Sequence, residues 1–136
     1  MTALDPVSLQ VMTGALRAAC DEMGAVLIRS AHSPNITERH DCSTALFTAA
    51  GELVMQAEHI PVHLGSMPDA VAAVLDLEQR PDRHWILNDP FRGGTHLPDI
   101  TVVTPAFTED GDLLGFAASR SPSSRSSRHD RVRRSA

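Results

Sequence analysis

Residues 85–103 read Trp85-Ile-Leu-Asn-Asp-Pro-Phe-Arg-Gly-Gly-Thr-His-Leu-Pro-Asp-Ile-Thr-Val-Val103. Two apolar runs typical of strands, 85–87 and 100–103, enclose a polar, glycine-rich segment at 88–99. A strand, a polar loop and a second strand are how a rigid scaffold presents chemical groups at its edge. The stretch therefore predicts part of a sheet and a candidate site beside it.

The chain before this stretch predicts a long helix and then a hairpin. Asp5-Pro6 is a typical helix start, and apolar residues then recur at helical spacing, which predicts one helix over 6–30. Strands are predicted at 43–48 and 53–57, joined by a turn in which Gly51 supplies a positive φ.

The remaining elements complete the predicted fold class. A second helix is predicted to begin at Ser66 as its cap, with the apolar residues through Leu77 facing inward. Strands are predicted at 100–105 and 113–117. A long helix, a hairpin, a second helix and further strands predict an α+β fold.

Length and composition limit the class of protein. The 136 residues are enough for one small domain, and a hydrophobic fraction of 42% allows a core. Two cysteines, Cys20 and Cys42, are too few for a disulfide framework and are expected to be reduced and buried, as in a cytoplasmic protein. Neither a signal peptide nor an apolar run of membrane-spanning length is visible, so no membrane association is predicted.

The net charge of −5 conceals an asymmetry between the two parts of the chain. Residues 1–118 carry six arginines against sixteen acidic residues and are a poor match for nucleic acid. Residues 119–136 contain seven serines and six arginines, a composition that predicts a disordered tail. Such Arg/Ser segments can bind RNA, but the acidic folded part argues against a nucleic-acid partner.

The segment at 88–99 contains the strongest candidate site. His96 and Asp99 lie three residues apart, and imidazole and carboxylate are usual ligands of a divalent transition metal. Asn88, Asp89 and Arg92 could orient a polar substrate, the arginine by a bidentate contact with a carboxylate. A well hydrogen-bonded turn is the structural alternative, and the residues alone leave both interpretations open.

Two further stretches carry dense polar chemistry. His59 and His63 are four residues apart, but Pro61 between them argues against a helical metal pair, so they would have to converge from a loop. Residues 29–41, which end in Asp41, form a polar connector between the long helix and the hairpin. For each stretch, a structural role in a solvated loop or connector is the favoured alternative.

Six segments taken in order resemble one known family. They are Asp5-Pro-Val, Glu22-Met-Gly, Arg29-Ser-Ala-His-Ser-Pro-Asn-Ile, Glu38-Arg-His-Asp-Cys-Ser-Thr-Ala-Leu-Phe, Gln56-Ala-Glu-His-Ile-Pro-Val-His-Leu-Gly-Ser-Met and Asn88-Asp-Pro-Phe-Arg-Gly-Gly-Thr-His-Leu-Pro-Asp-Ile. In order and spacing they resemble the hydantoinase B/5-oxoprolinase family, which includes N-methylhydantoinase B and acetone carboxylase subunits. The resemblance covers residues 5–118.

The resemblance implies ATP-dependent hydrolysis of a cyclic amide, such as 5-oxoproline or a hydantoin. A hydantoinase A-type partner would use the ATP, in a hetero-oligomer, and a divalent metal, manganese or similar, would be held by His96 and Asp99. Substrate would be oriented by Asn88, Asp89 and Arg92. The candidate catalytic residues for the same cavity are Asp41, His59 and His63.

The resemblance also implies that the chain is a truncated part of a larger fold. Family members continue after about residue 119 with an Ala-His-His segment, where this chain has Ser-Pro-Ser-Ser-Arg. A one-base change of reading frame converts one into the other, so residues from about 119–121 onward are a possible frameshift product. Family-like sequence in the adjacent frame of the coding DNA tests this hypothesis. Two alternatives stay open, an ATP-dependent ketone carboxylase subunit and an inactive remnant or assembly module.

Overall fold

The described chain begins with a long helix and continues into an antiparallel sheet. A computed structural model describes residues 3–58, 66–88, 99–122 and 133–135. The helices are α1 (Pro6–Ser30), α2 (Pro34–Thr37) and α3 (Met67–Ala72). The strands are β1 (Ser43–Thr48), β2 (Leu53–Glu58), β3 (His84–Leu87), β4 (Asp99–Phe107), β5 (Leu113–Pro122) and β6 (Arg133–Ser135).

The described strands form one sheet in the order β2-β1-β5-β4-β3-β6, and each neighbouring pair is antiparallel. The β1–β2 and β4–β5 hairpins close through turns of the same construction. The Thr48 N–H donates to the Glu52 carbonyl at 2.8 Å, as the N–H of Thr108 does to Asp112. Gly51 has the positive φ of 85° that such a turn requires, so the predicted hairpin and its glycine are confirmed.

One face of the sheet packs on α3 and forms the hydrophobic core. Alternate residues of the strands supply it, as the two-residue period of a strand requires. The indole N–H of buried Trp85 donates to Gln79 Oε1 at 2.8 Å, so its polar atom is satisfied. The core cluster consists of Ala45, Phe47, Met67, Ala70, Val71, Val74, Trp85, Leu87, Val103, Phe116 and Ala118.

The opposite face of the sheet packs on the C-terminal half of α1. Cys20 and Gly24 are the buried residues of α1, and the Thr44 hydroxyl donates to the Cys20 carbonyl at 2.8 Å. Near the other end of the helix, Val7 is 70% exposed and Val11 is 67% exposed. The predicted helix over 6–30 is confirmed, but its apolar stripe contacts the sheet only in part.

The second helix is shorter than the sequence predicted. α3 ends at Ala72, residues 73–77 form turns, and Leu77 is exposed rather than inward-facing. The Ser66 side chain makes no cap hydrogen bond, because its hydroxyl accepts instead from a guanidinium. The helix does begin after Ser66, as predicted, but the predicted hydrogen bond from a helix N–H to the Ser66 side chain is not formed.

Regular structure extends past the predicted boundary at residue 118. β5 continues to Pro122. Its backbone pairs with β4 as far as Pro122 and with β1 as far as Arg120. Residues 133–135 form a strand that pairs with β3. The predicted disordered tail is corrected for these positions, since backbone pairing does not depend on apolar side chains. Its remaining residues, 123–132 and 136, lie outside the described part of the chain.

In the described ranges, no helix combines the length and apolar character that crossing a bilayer would require. The architecture, a long helix and a short helix on opposite faces of an antiparallel sheet, confirms the predicted α+β class.

Candidate functional site

The strand register places the described ends of the three predicted polar stretches at one edge of the sheet. Ser43, the first residue of β1, is paired with Glu58, the last residue of β2, and with Arg120 near the end of β5. The start of β1 and the ends of β2 and β5 therefore lie side by side. β3 ends and β4 begins at the same edge, because Leu87 is paired with Thr101. We call this end of the sheet, defined by Ser43, Glu58, Leu87, Thr101 and Arg120, the site edge.

Three of the predicted site residues lie at the site edge. Asp41 precedes β1 and is partly buried, Asn88 directly follows β3 and is partly buried, and Asp99 opens β4 with 5% of its surface exposed. β5 separates β1 from β4, so these two strands lie roughly 10 Å apart at the site edge. The other predicted residues lie outside the described residues, namely His59, His63, Asp89, Arg92 and His96.

A buried arginine at the site edge was missed as a site residue. Arg120 has no exposed surface, and its Nε–H donates to Thr101 Oγ1 at 2.8 Å. Its two terminal nitrogens donate to the Ser66 hydroxyl and, at 3.3 Å, to the Ser66 carbonyl. The guanidinium therefore joins the end of β5 to β4 and to the start of α3.

The surroundings of Arg120 act on its charge in two directions. Burial lowers the pKa of the guanidinium from its ordinary value, whereas the nearby carboxylates of Asp99 and Asp69 act to raise that pKa. A buried arginine stays protonated under such conditions, because its ordinary pKa lies far above neutrality. The site edge thus holds a permanent positive charge close to the buried carboxylate of Asp99.

A sequence signal for Arg120 did exist in the alternation of β5. Phe116 and Ala118 are buried at every second position, and Arg120 continues that series. The prediction failed because residues after 118 were assigned to the tail by their Arg/Ser composition. Strand periodicity was the better guide at this position.

The third polar stretch lines a pocket beside the same edge. A cavity of about 500 Å3 lies between the end of α1, α2 and the first residues of β4. His32 and Ser33 supply its polar wall, and Ile100 and Pro122 supply part of its apolar wall. Ile100 directly follows Asp99 on β4 and therefore points to the opposite face of the sheet, so the pocket and the Asp99 carboxylate lie on different faces at the start of β4.

The two cysteines are structural groups. Both are free and buried, as predicted. Burial raises the pKa of the Cys42 thiol, and the neighbouring carboxylate of Asp41 raises it further. Burial likewise raises the pKa of Cys20. A raised pKa keeps a thiol protonated near neutrality, as is usual for buried structural cysteines.

One of the two predicted metal ligands, Asp99, lies in the described part of the chain. Across 3–58, 66–88, 99–122 and 133–135, no group of three or more His, Cys, Asp and Glu side chains is placed to hold a metal ion. Asp99 is the predicted metal ligand that the structure describes, and its carboxylate is buried at the site edge near the guanidinium of Arg120. A complete ligand set would need further groups, of which His96 is the predicted one.

Comparison with known protein families gives one match that covers most of the chain. The family model described as Hydantoinase B/oxoprolinase matches residues 5–122. The 5-oxoprolinase of Saccharomyces cerevisiae is 42% identical over 120 residues, which cover 86% of this chain and 9% of the yeast protein. The caprolactamase subunit beta of Pseudomonas jessenii is 34% identical over 84% of this chain and 20% of that subunit.

Two solved structures share the fold. The ATP-dependent caprolactamase of Pseudomonas jessenii superposes with a TM-score of 0.77 at 30% identity, over 90% of this chain and 21% of that one. A nucleotide-free acetone carboxylase, an enzyme of ATP-dependent acetone carboxylation, superposes with a TM-score of 0.79 at 22% identity. That match covers 87% of this chain and 16% of the other, so the described fold is part of a larger one in both.

Proposed function

The chain belongs to the hydantoinase B/oxoprolinase family, and we propose that it is part of a B-type subunit for ATP-dependent hydrolysis of a cyclic amide. The substrate would be 5-oxoproline, a hydantoin or a similar lactam. The proposal favours hydrolysis over ketone carboxylation, because the 42%-identical relative is a 5-oxoprolinase. The acetone carboxylase, at 22% identity, supports a common fold alone.

One observation carries the proposal at the level of the site. Asp99 is a carboxylate with 5% of its surface exposed, and it stands at the edge where the strands bring Asp41 and Asn88. A buried carboxylate is costly unless it has a functional or electrostatic partner. Arg120 is such an electrostatic partner for Asp99, and a carboxylate held at this edge can serve as an oxygen ligand of a metal or as an acceptor for a substrate amide.

Each predicted residue has a role in this proposal. Asp99 and His96 would hold a divalent metal such as manganese, which when bound supplies Lewis-acid polarisation of a carbonyl or an activated water. Asn88, Asp89 and Arg92 would orient the ring of the substrate through hydrogen bonds. The proton transfers of ring opening would fall to Asp41, His59 and His63.

The proposed partner is a hydantoinase A-type subunit that uses the ATP. Support comes from the caprolactamase relative, which is named as a beta subunit of an ATP-dependent enzyme. The assembly would be a hetero-oligomer, and this chain alone would have no turnover. We propose the cytoplasm as its compartment, a reducing one in which free thiols such as Cys20 and Cys42 are usual.

A chimeric subunit tests the proposed function. Residues 5–122 would replace the matching segment of the caprolactamase subunit beta, and the chimera would be assembled with the other subunit of that enzyme. We expect ATP-dependent lactam hydrolysis by the chimera and a loss of about a hundredfold or more when Asp99→Asn removes the proposed ligand. The matched control is Asp76→Asn, an exposed aspartate away from the site edge.

The outcomes separate the candidate functions. Equal activity of the Asp99→Asn and Asp76→Asn chimeras would remove Asp99 from the reaction. A folded, assembled chimera without activity would favour the non-catalytic assembly module. Turnover by the purified 136-residue chain without a partner would contradict the proposal that it acts only within a hetero-oligomer.

A further inference from the structure

Arg120 connects the two described positions that border the candidate site. Ser66 is the first described residue after 59–65, the stretch that carries His59 and His63, and Asp99 is the first after 89–98. The guanidinium donates to the hydroxyl and carbonyl of Ser66, and its charge is close to Asp99. One side chain thus binds Ser66, at the end of the first stretch, and places its charge near Asp99, at the end of the second.

The contacts use the particular shape of arginine. Nε donates to Thr101 on β4 while the two terminal nitrogens donate to Ser66 at the start of α3. A planar fork can satisfy acceptors on two elements at once, whereas a lysine ammonium is a point charge with a different reach. Hydrogen bonds from a charged donor are also about twice as strong as neutral ones.

Thr101 links this fork to the position of Asp99. Both residues lie on β4, two positions apart, so they point to the same face of the sheet. Both are buried, as is Arg120, whose backbone is paired with Thr101. A fixed Thr101 therefore fixes the part of β4 from which the Asp99 carboxylate projects.

We propose that Arg120 is a positioning residue that holds Asp99 and Ser66 in a fixed relation at the site edge, on the basis of the function proposed above. The guanidinium locks β4 to the start of α3 through its hydrogen bonds and provides the counter-charge that keeps the buried carboxylate in place. It touches neither substrate nor metal. Its effect on the reaction passes through the placement of Asp99.

Hydrogen–deuterium exchange of the full 136-residue chain tests the positioning role. In Arg120→Lys, which keeps a positive charge but loses the fork, we expect amides of 67–72 and 99–103 to exchange about tenfold faster, the effect of losing one such hydrogen bond. Amides of the β1–β2 hairpin should change little. The matched control Arg80→Lys, in which an exposed arginine paired with Glu78 is replaced, should leave both regions unchanged.

A second variant keeps the test decisive if Arg120→Lys does not fold. Ser66→Ala removes only the hydroxyl acceptor, so faster exchange should be confined to 67–72. Unchanged exchange at 67–72 in Ser66→Ala, or unchanged exchange at both regions in folded Arg120→Lys, overturns the proposal. A uniform acceleration over the whole sheet would also overturn it, because it would indicate a general loss of stability.

Binding of Mn2+ ions separates this inference from the proposed function. By calorimetry, we expect Arg120→Lys to weaken Mn2+ binding about tenfold, since misplacement of one ligand costs that order of affinity, and Asp99→Asn to abolish it. If the unsubstituted chain binds no Mn2+, the metal part of the proposed function fails, while the exchange data still decide the role of Arg120. If Mn2+ binds equally to both arginine and lysine forms, positioning by Arg120 is wrong and the metal site stands.

Discussion

Val71 on α3 has no exposed surface, whereas Val11 on α1 is 67% exposed. The two helices lie on opposite faces of one sheet, yet only α3 buries its apolar side within this chain. On the α3 face, core residues interlock and the polar cluster of Arg120, Thr101 and Ser66 is enclosed at the site edge. On the α1 face, the N-terminal half of the helix presents apolar residues to solvent.

The difference indicates where stability and site geometry come from. The enclosed α3 face derives its stability from burial, so its side chains are held in place and can position Asp99. The first half of α1 gains little from packing and depends on its own capping and helix propensity. An exposed apolar surface of this kind is typical of a segment that packs against other parts of a larger fold. In both superposed structures, the matching segment is such a part of a longer chain.

The largest expected effect is in the core of the α3 face. Phe116→Ala removes a ring that is 2% exposed and should lower the free energy of unfolding by about 3–5 kcal/mol, because burial is lost and a cavity remains. Urea denaturation followed by circular dichroism measures it. The control Leu114→Ala, on the same strand but 65% exposed, should change stability by less than about 0.5 kcal/mol. An equal loss of unfolding free energy in both variants would mean that the two positions are packed to the same degree.

The next largest effect on stability is expected for alanine substitutions at two glycines, one in the sheet and one in α1. A Cβ at Gly115 on β5 would lie 2.2 Å from the Phe47 carbonyl oxygen, so Gly115→Ala should cost about 3 kcal/mol as the β1–β5 pairing is forced apart. A Cβ at Gly14 on α1 would meet nothing within 4 Å. Gly14→Ala should therefore stabilise the chain by up to about 1 kcal/mol. Thermal denaturation of the two variants gives both signs, and a stable Gly115→Ala chain would contradict the described register.

Matched valine truncations compare the two helices directly. Val71→Ala should lower the free energy of unfolding by about 2 kcal/mol, because a fully buried side chain is shortened. Val11→Ala should change it by less than about 0.5 kcal/mol, since little burial is lost and alanine favours a helix. Denaturant titration of both variants measures the difference. A cost at Val11 equal to that at Val71 would show that α1 is packed in solution along its whole length.

Local sequence signals predicted most of the fold. The bounds of α1 followed from helical spacing and from the Asp5 cap, and the first hairpin from alternation and Gly51. These elements are set by interactions between residues close in the chain, which sequence patterns report well. The short α2 and the early end of α3 were missed because a single turn has too few residues to show a period.

The candidate site was predictable in its composition but not in its assembly. Asp41, Asn88 and Asp99 were identified as chemically interesting, and the strand register then placed them at one edge. Arg120 was missed because its Arg/Ser surroundings assigned it to the tail, and its partners Thr101 and Ser66, 19 and 54 residues away along the chain, could not be found from the sequence. Contacts at such separations depend on the topology of the sheet, which single-sequence patterns do not determine.

The smallest predicted effect concerns the exposed start of α1, where local contacts replace packing. Asp5 Oδ1 accepts from the N–H groups of Val7 and Ser8, each at 3.0 Å, and its other oxygen accepts from the Ser8 hydroxyl. Asp5→Ala removes these acceptors and should lower the melting temperature slightly at neutral pH. Asp5→Asn keeps a cap of similar strength without a titrating group, so it should melt close to the unsubstituted chain.

The cap also predicts a dependence on pH that neither core variant shares. The hydrogen bond from the Ser8 hydroxyl, together with those from backbone N–H groups, lowers the pKa of Asp5 below its ordinary value of 3.8. A lowered folded-state pKa means that the carboxylate stabilises the fold above pH 3.8 and that this contribution disappears as the pH falls through the folded value. The melting temperature of the unsubstituted chain should therefore fall relative to that of Asp5→Asn when both are measured below pH 3.8. A constant difference between the two chains from pH 6 to pH 2 would show that the start of α1 is not held by this carboxylate, and that packing stabilises both helices alike.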